Sequence, residues 1–396
     1  MDAQSIRCAA AISTHRMLDE AVREVCEQSL HDLAAEPHLA VLFVSNVYAP
    51  NMERIVERAS DILRCEALIG CTGEAIVGNG TEVEDEPAIS LWLAHLPGAV
   101  VEPFSLRFER TAEGGTFVGW PENMAGDWPQ GSTLLMLAEP YSFPADVLLE
   151  RMNEDHPGIP ILGGMASGAT MPGENRLVQG SQVLLEGAVA VRLSGKVRVR
   201  SVVSQGCRPV GRHLVITKGE RNIIHQLGGQ PPLAVLNEIF STLSPREQEL
   251  AQNGLHLGRV TSEYKESFGR GDFLVRNVLG ADPESGALLV GEYIRTGQTV
   301  QFHVRDEQTA DEDLRTLCRE AAEAQSQPPA GALLFTCNGR GTRLFSEPHH
   351  DASCLRDQWP ELPLAGFFAQ GEIGPIGGNN FLHGFTASIA IFEAAE

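Results

Sequence analysis

The chain has 396 residues, 43% of them hydrophobic, which is enough apolar material for a large buried core in two or three domains. Its formal net charge is −22, with only three lysines, and this argues against nucleic-acid and anionic-membrane partners, because both need positive potential at the contact. No apolar run is long enough for a membrane-spanning helix or a signal peptide, and the eight cysteines show no CxxC spacing. A cytoplasmic protein with buried thiols, without a disulfide framework or a zinc ribbon, is therefore expected.

In chain order, residues 6–12 are predicted as a first strand, Ser13 and Thr14 as a helix N-cap, and 17–33 as a helix by apolar spacing. Residues 39–44 read as a buried strand, 47–50 as a loop and 52–63 as a helix. The strand at 67–70 then runs into a polar glycine loop, Cys71, Thr72, Gly73 and Glu74. The same order recurs at 133–137, 145–152 and 159–164, and again at 332–336, 351–358 and 364–368. The strand-to-strand offsets are all about 26 to 32 residues, the length of a βαβ unit, which marks a weak internal repeat.

Strands at 183–191 and 385–392 follow two of these units, so mixed sheets are expected. Alternation at 88–94 and 101–108 predicts antiparallel strands, and the Gly-, Pro- and Trp-containing 115–131 a surface crossing. Residues 198–203 and 209–215 read as a hairpin, with a domain boundary near 195–208. A helix at 231–243 precedes a second one opened by Ser244 and Pro245 and ended by 254–259. Turn chemistry at 282–286 and 296–298 divides 274–278, 287–293 and 299–304 into a meander, and 311–324 is a helix with an acidic first turn.

Candidate chemistry concentrates at strand ends. The apolar run 332–336 stops at Cys337, Asn338, Gly339, Arg340 and Gly341, where two glycines permit positive φ or close backbone approach. A parallel neighbour at 364–368 would deliver Gly371 and Glu372 to the same sheet edge, the place where open α/β sheets bind ligands. Three readings stay open for the first loop. Its backbone N–H groups and Arg340 can hold a carboxylate; Arg340 can activate Cys337 as a nucleophile or redox thiol; or the cysteine is simply buried before a turn.

Cys71, Thr72, Gly73 and Glu74 occupy the same structural place in the first unit. Glu74 suits an ammonium group, against the plainer reading of a solvated turn. Glu372 either pairs with Arg340 or shares an amino-acid ligand with it, each taking one end. Gly164, at the end of the 159–164 strand, and Asn380, beyond Glu372, complete that set. Arg276 and Asn277, at another strand end, either stabilise a turn or touch a ligand. His349 and His350 are adjacent on a loop, with His256, His303 and His383 elsewhere, and no spacing supports a metal site.

CNGRG at 337–341, the P-L-x-G-F strand at 363–367 and GEIGP at 371–375 resemble the C-terminal half of FIST-domain proteins, a family named for F-box and intracellular signal transduction proteins. FLVRNVLGADPESGALLVGEYIRTGQTVQFHVRD at 273–306 and IGCTGEAIVGNG at 69–80 extend the resemblance over nearly the whole chain. It implies an α/β fold of mixed β-sheets with flanking helices in two related halves, a FIST N-terminal domain at 1–205 and a FIST C-terminal domain at 206–396. It also implies a sensory protein for a small ligand such as an amino acid or another carboxylate, with Asn338, Arg340 and Glu372 inside the most characteristic motifs. Some members bind haem, so a haem-based gas sensor is one alternative, and an enzyme using Cys337 or Cys71 is another; no catalytic residue or obligatory cofactor is assigned. The chain is expected to lack an F-box or kinase segment, so that signalling would pass through a separate partner protein.

Overall fold

The computed structural model describes residues 5–111, 114–265 and 267–395, and its main sheets are built on three copies of one strand–helix–strand unit. The copies are Leu39–Ser45, Met52–Leu63 and Leu68–Gly73; Thr133–Ala138, Ala145–Asp155 and Ile161–Met165; and Gly331–Cys337, His350–Gln358 and Leu364–Ala369. Within each copy the two strands are parallel neighbours. Runs such as LAVLFVS and TLLMLA are buried on both faces, as parallel strands require, while Met52, Ile55, Val56, Ala59 and Leu63 give the first helix one apolar stripe.

Each copy continues with a hairpin and a return strand. The hairpins are Ile76–Gly78 with Thr81–Val83, Leu177–Gln179 with Gln182–Leu184, and Glu372–Ile376 with Asn379–His383; the return strands are Ile89–His95, Ala188–Gly195 and Thr386–Ala394. Every return strand pairs antiparallel with the first strand of its own copy. The hairpins leave home: the first copy's joins the third copy's sheet, the second's joins the first, and the third's joins the second. Three sheets are thus interlocked by cyclic exchange, each closed outside its return strand by Arg7–Ser13, Ala99–Thr111 or Val197–Gln205.

The repeat extends to single residues. Gly70, Gly163 and Gly366 stand opposite Leu42, Met136 and Leu334 in the three parallel pairs. A Cβ on each would lie 2.3, 1.8 and 1.9 Å from the carbonyl oxygen of that partner, so only glycine lets the strands close at this register. The inner faces meet where the rings of Phe43, Phe335 and Phe367 lie 5.2 to 6.3 Å apart beside Leu137 and Val189. Helices cover the outer faces.

The chain divides into two compact units, one of Met1–Val203, Leu314–Leu382 and Thr386–Glu396, the other of Ser204–Asp313 and His383–Phe385. The second holds a closed antiparallel barrel in the order Cys207–Glu220, Ile223–Leu227, Leu288–Val290, Phe273–Ala281, Leu255–Val260 and Thr299–Arg305, filled by residues including Ile216, Ile224, Leu257 and Phe302. Its helix Pro245–Asn253 opens with the Ser244–Glu247 capping box.

The α/β class with mixed sheets holds, and so do the three repeats. By compactness, the barrel unit starts at Ser204, within the expected boundary near 195–208, and lies between the outer strand Val197–Gln205 and the third copy's first strand Gly331–Cys337, after which the chain returns to the first unit. Other expectations change. Residues 198–203 and 209–215 enter different sheets instead of forming a hairpin, and the meander is part of the barrel, with Thr299–Arg305 pairing to Cys207–Glu220 and Leu255–Val260. Gly187, at φ +86°, divides the 183–191 strand. The first helix starts at Leu18 without a side-chain cap, Ser13 being engaged by Glu24. The 115–131 crossing contributes a strand, Gly114–Val118, and buries Met124 and Trp128.

Candidate functional site

Backbone hydrogen bonds stitch together the C-terminal ends of the parallel strands. Ser167 N–H donates to Thr72 O at 3.1 Å, Gln370 N–H to Met165 O at 3.1 Å and Asn338 N–H to Ala369 O at 3.0 Å. Ser167 Oγ accepts from Glu74 N–H at 2.8 Å and donates to Phe368 O. The loop from Cys337 turns sharply at Gly341, whose φ is +60° and whose absent Cβ would stand 2.6 Å from Glu84 Oε1. Beside that turn Arg340 points inward, onto Asp351 and Phe345.

Arg340 is fully buried, and its Nε and Nη2 each donate to Asp351 at 2.7 Å. Thr336 Oγ1 donates to Asp351 Oδ2 at 2.5 Å, and His350 Nδ1 lies 2.9 Å from Asp351 Oδ1. The guanidinium stands over Phe345, 5.2 Å from the ring centroid, and His350 stacks on the same ring. Burial works against both charges, but their mutual attraction and the bidentate bond win: Arg340 is held above its ordinary pKa and Asp351 well below the usual carboxylate range.

Two further carboxyls surround this pair. Glu82 accepts from Ala352 N–H at 2.8 Å; burial, and then the Asp351 charge, push it up to about 8. Glu372 accepts from the N–H and Oγ1 of Thr386 at 3.1 and 2.7 Å. Burial still pushes it up to about 8, against those bonds, the attraction of Arg340 and a hydrogen bond with Cys337. Four buried side-chain atoms here have no hydrogen-bond partner: Glu82 Oε2, Asn338 Oδ1, Arg340 Nη1 and Glu372 Oε1. Such atoms cost about 1–3 kcal/mol each unless a ligand or ordered water meets them.

The raised carboxyls set a pH dependence. The native state binds these two protons more tightly than the unfolded chain, whose carboxyls titrate near 4.5, so the stability they contribute is complete below that value and is lost as pH rises through about 8. Each group can contribute a slope of up to about 1.4 kcal/mol per pH unit. Burial lowers His256 and His303 to about 4, so their contribution has the opposite sign and is lost as pH falls from 6.5 toward 4. Urea midpoints measured from about pH 5 to 9 should show the alkaline decline reduced in Glu372→Gln and in Glu82→Gln. An identical decline in both variants contradicts this assignment.

Above the buried cluster, Glu74 pairs with Arg343, and Arg343 Nη1 also donates to Asn338 O at 2.9 Å. Thr342 donates through N–H and Oγ1 to Glu84, the latter at 2.8 Å. This outer pair is exposed, with 35% of the Glu74 and 57% of the Arg343 side chain accessible.

The expected residues divide accordingly. Cys337, Asn338, Gly339, Arg340, Gly341, Glu372 and Glu74 converge on this edge. Cys71, Thr72 and Gly73, expected in a loop, are buried strand residues; burial pushes the Cys71 thiol well above its ordinary value, and Thr72 Oγ1 accepts from Arg176 N–H. Glu372 likewise opens a strand and does not pair with Arg340, whose partner is Asp351. Gly164 lies opposite Glu372, where a Cβ would stand 2.9 Å from that of Ala369, and Gly371 packs beside Leu382. Asn380 ties its hairpin to the second sheet, accepting from Ile161 N–H at 2.7 Å. Arg276 and Asn277 are mid-strand in the barrel, with Arg276 paired to Glu292.

Asp351, Glu82 and Arg343 were not anticipated from sequence. Arg343 was legible as a second arginine in the loop, and Asp351 as an acid in the first turn of a helix. Glu82 reaches Ala352 across 270 positions and leaves no local signal. A haem iron would need an imidazole nitrogen aimed into an apolar cavity. The His350 ring lies flat on Phe345, and the His303 ring is packed against Gly258 and Phe273.

Residues 38–230 match the FIST N domain and residues 232–375 the FIST C domain. The chain belongs to the FIST family. This FIST protein is 44% identical over 388 residues to an uncharacterized protein of Mycobacterium tuberculosis, covering 98% of this chain and 100% of the relative. It is 43% identical to an uncharacterized Mycobacterium bovis protein, over 98% and 99% of the two chains. An F-box/LRR-repeat protein of Arabidopsis thaliana is 28% identical over 151 residues, 35% of the FIST chain and 28% of the plant protein. FIST domains are associated with sensory roles in signal transduction. Among the described residues, no helix is long and apolar enough to cross a membrane.

Proposed function

We propose that this protein senses a small zwitterionic ligand of amino-acid type at the strand-end loops, with Arg343 meeting the carboxylate and Glu74 the ammonium group. The observation that carries this reading is an exposed, opposite-charge pair above a buried cluster with four unpartnered polar atoms. An exposed ion pair contributes no more than about 1 kcal/mol, so a ligand that replaces both halves of it displaces little. Asn338 Oδ1 and Arg340 Nη1 then offer a fixed acceptor and donor beside the ligand. The other two nitrogens of Arg340 are committed to Asp351, which holds Nη1 in place.

Eight free thiols support a reducing compartment, so we place the protein in the cytoplasm, where a separate signalling protein would read the bound state. The test is a thermal-shift panel of amino acids, their N-acetyl and amide derivatives, and short carboxylates. A ligand at 100 times its dissociation constant adds about 2.7 kcal/mol. Stabilisation should require both charged ends and vanish in Glu74→Gln and Arg343→Gln. A hit indifferent to both substitutions places binding elsewhere, and silence from the whole panel refutes the reading.

A further inference from the structure

At the opposite edge of the same sheets lies a cleft, where the parallel strands begin. Its larger part, about 740 Å³, is lined by residues including Ile6, Arg7, Ala330, Trp359, Leu362 and Pro363. An adjoining part of about 380 Å³ shares Cys8 and the 360–363 loop with it and runs beneath Ala9 and Ala10. These volumes are in the range of small-molecule sites. The larger part has mainly apolar walls: Trp359 is 8% exposed, its indole N–H is taken by Gln325, and prolines 328, 329, 360 and 363 supply rigid surface without N–H donors, whereas the smaller part is the more polar of the two.

The polar features are few and unequal. Asp32, Arg356 and Glu361 stand exposed on the rim. Arg7 is half-buried; its Nη1 donates to Ala34 O at 3.4 Å, while its Nε is buried and unpartnered. That nitrogen has no accessible surface, so a ligand in the cleft would meet the outer end of the guanidinium, where the single bond to Ala34 is long and exposed. We propose that this cleft is a second ligand site, for a molecule with an aliphatic or aromatic body and a single carboxylate, the body lying against Trp359, Leu362 and the prolines and the carboxylate meeting Arg7. The site is independent of the strand-end loops and of any ligand bound there.

The test is calorimetric titration of the full chain with decanoate, and with 1-decanol as the uncharged counterpart. Decanoate should bind one per chain, at least tenfold more tightly than decanol. Arg7→Gln should weaken decanoate about tenfold and leave decanol unchanged, a pattern that loss of folding cannot produce. Leu362→Trp, which fills the cleft from its wall, should remove both, with an unchanged melting temperature showing that the fold persists. No saturable binding overturns the proposal, as does binding that survives Leu362→Trp. Equal affinity for acid and alcohol overturns the role of Arg7.

Discussion

Replacing Arg340 by alanine should destabilise the first unit by about 3–5 kcal/mol, the cost of stranding one member of a buried ion pair. Asp351 would keep Thr336 and His350 but lose two charge-assisted bonds of 2.7 Å, in a site with 1% of its side chain exposed. The loss reaches further, since Arg340 also attracts Glu82 and Glu372; without it both carboxyls would hold their protons to higher pH. The double variant Arg340→Met with Asp351→Leu removes both charges, and it should recover much of the stability, because matched apolar groups escape the desolvation that the pair suffers. Urea or thermal unfolding of the two single variants and the double variant forms a cycle whose coupling energy isolates the pair. Single substitutions that cost less than about 1 kcal/mol would show the pair to be dispensable.

Gly163→Ala and Gly366→Ala should be at least as damaging, at roughly 4 kcal/mol or more, the range reserved for severe core disruption. The added methyls would stand 1.8 and 1.9 Å from carbonyl oxygens of the paired strands, and a carbonyl within a parallel ladder cannot rotate away without breaking hydrogen bonds. Gly70→Ala, at 2.3 Å, should follow the same pattern more mildly. Gly280→Ala is the control: nothing lies within 4 Å of its added methyl, and it should be neutral or slightly stabilising. Soluble yield and unfolding midpoints report the ranking. If Gly366→Ala behaves like Gly280→Ala, the strands have slack that the structure denies.

The local code of this chain is strong. Apolar runs bounded by glycine and polar residues marked the six parallel strands, and the helix Met52–Leu63 matches its predicted bounds because its apolar stripe begins and ends there. The capping box at Ser244 needs only residues three apart. The barrel was not legible, because its closure pairs Thr299–Arg305 with Cys207–Glu220 across some ninety positions and nothing local encodes that pairing. Cyclic hairpin exchange was hidden for the same reason: each hairpin is locally ordinary, and only its destination is unusual.

At the site, sequence identified the CNGRG loop and named Arg340 as a candidate carboxylate ligand, but the direction in which each arginine points was not legible in it. Gly341 permits the turn, yet the direction of Arg340 is fixed by Asp351 and Phe345, which fold beneath it, whereas Arg343 emerges beside Glu74. Sequence by itself determined the α/β class, the three strand–helix–strand repeats and the sheet edge that carries the loops, because periodicity and glycine placement act within a few residues. Tertiary structure alone decided which charges are buried together, which carboxyls keep their protons and where the cleft opens. Those properties arise from desolvation and packing among residues that only the closed fold makes neighbours.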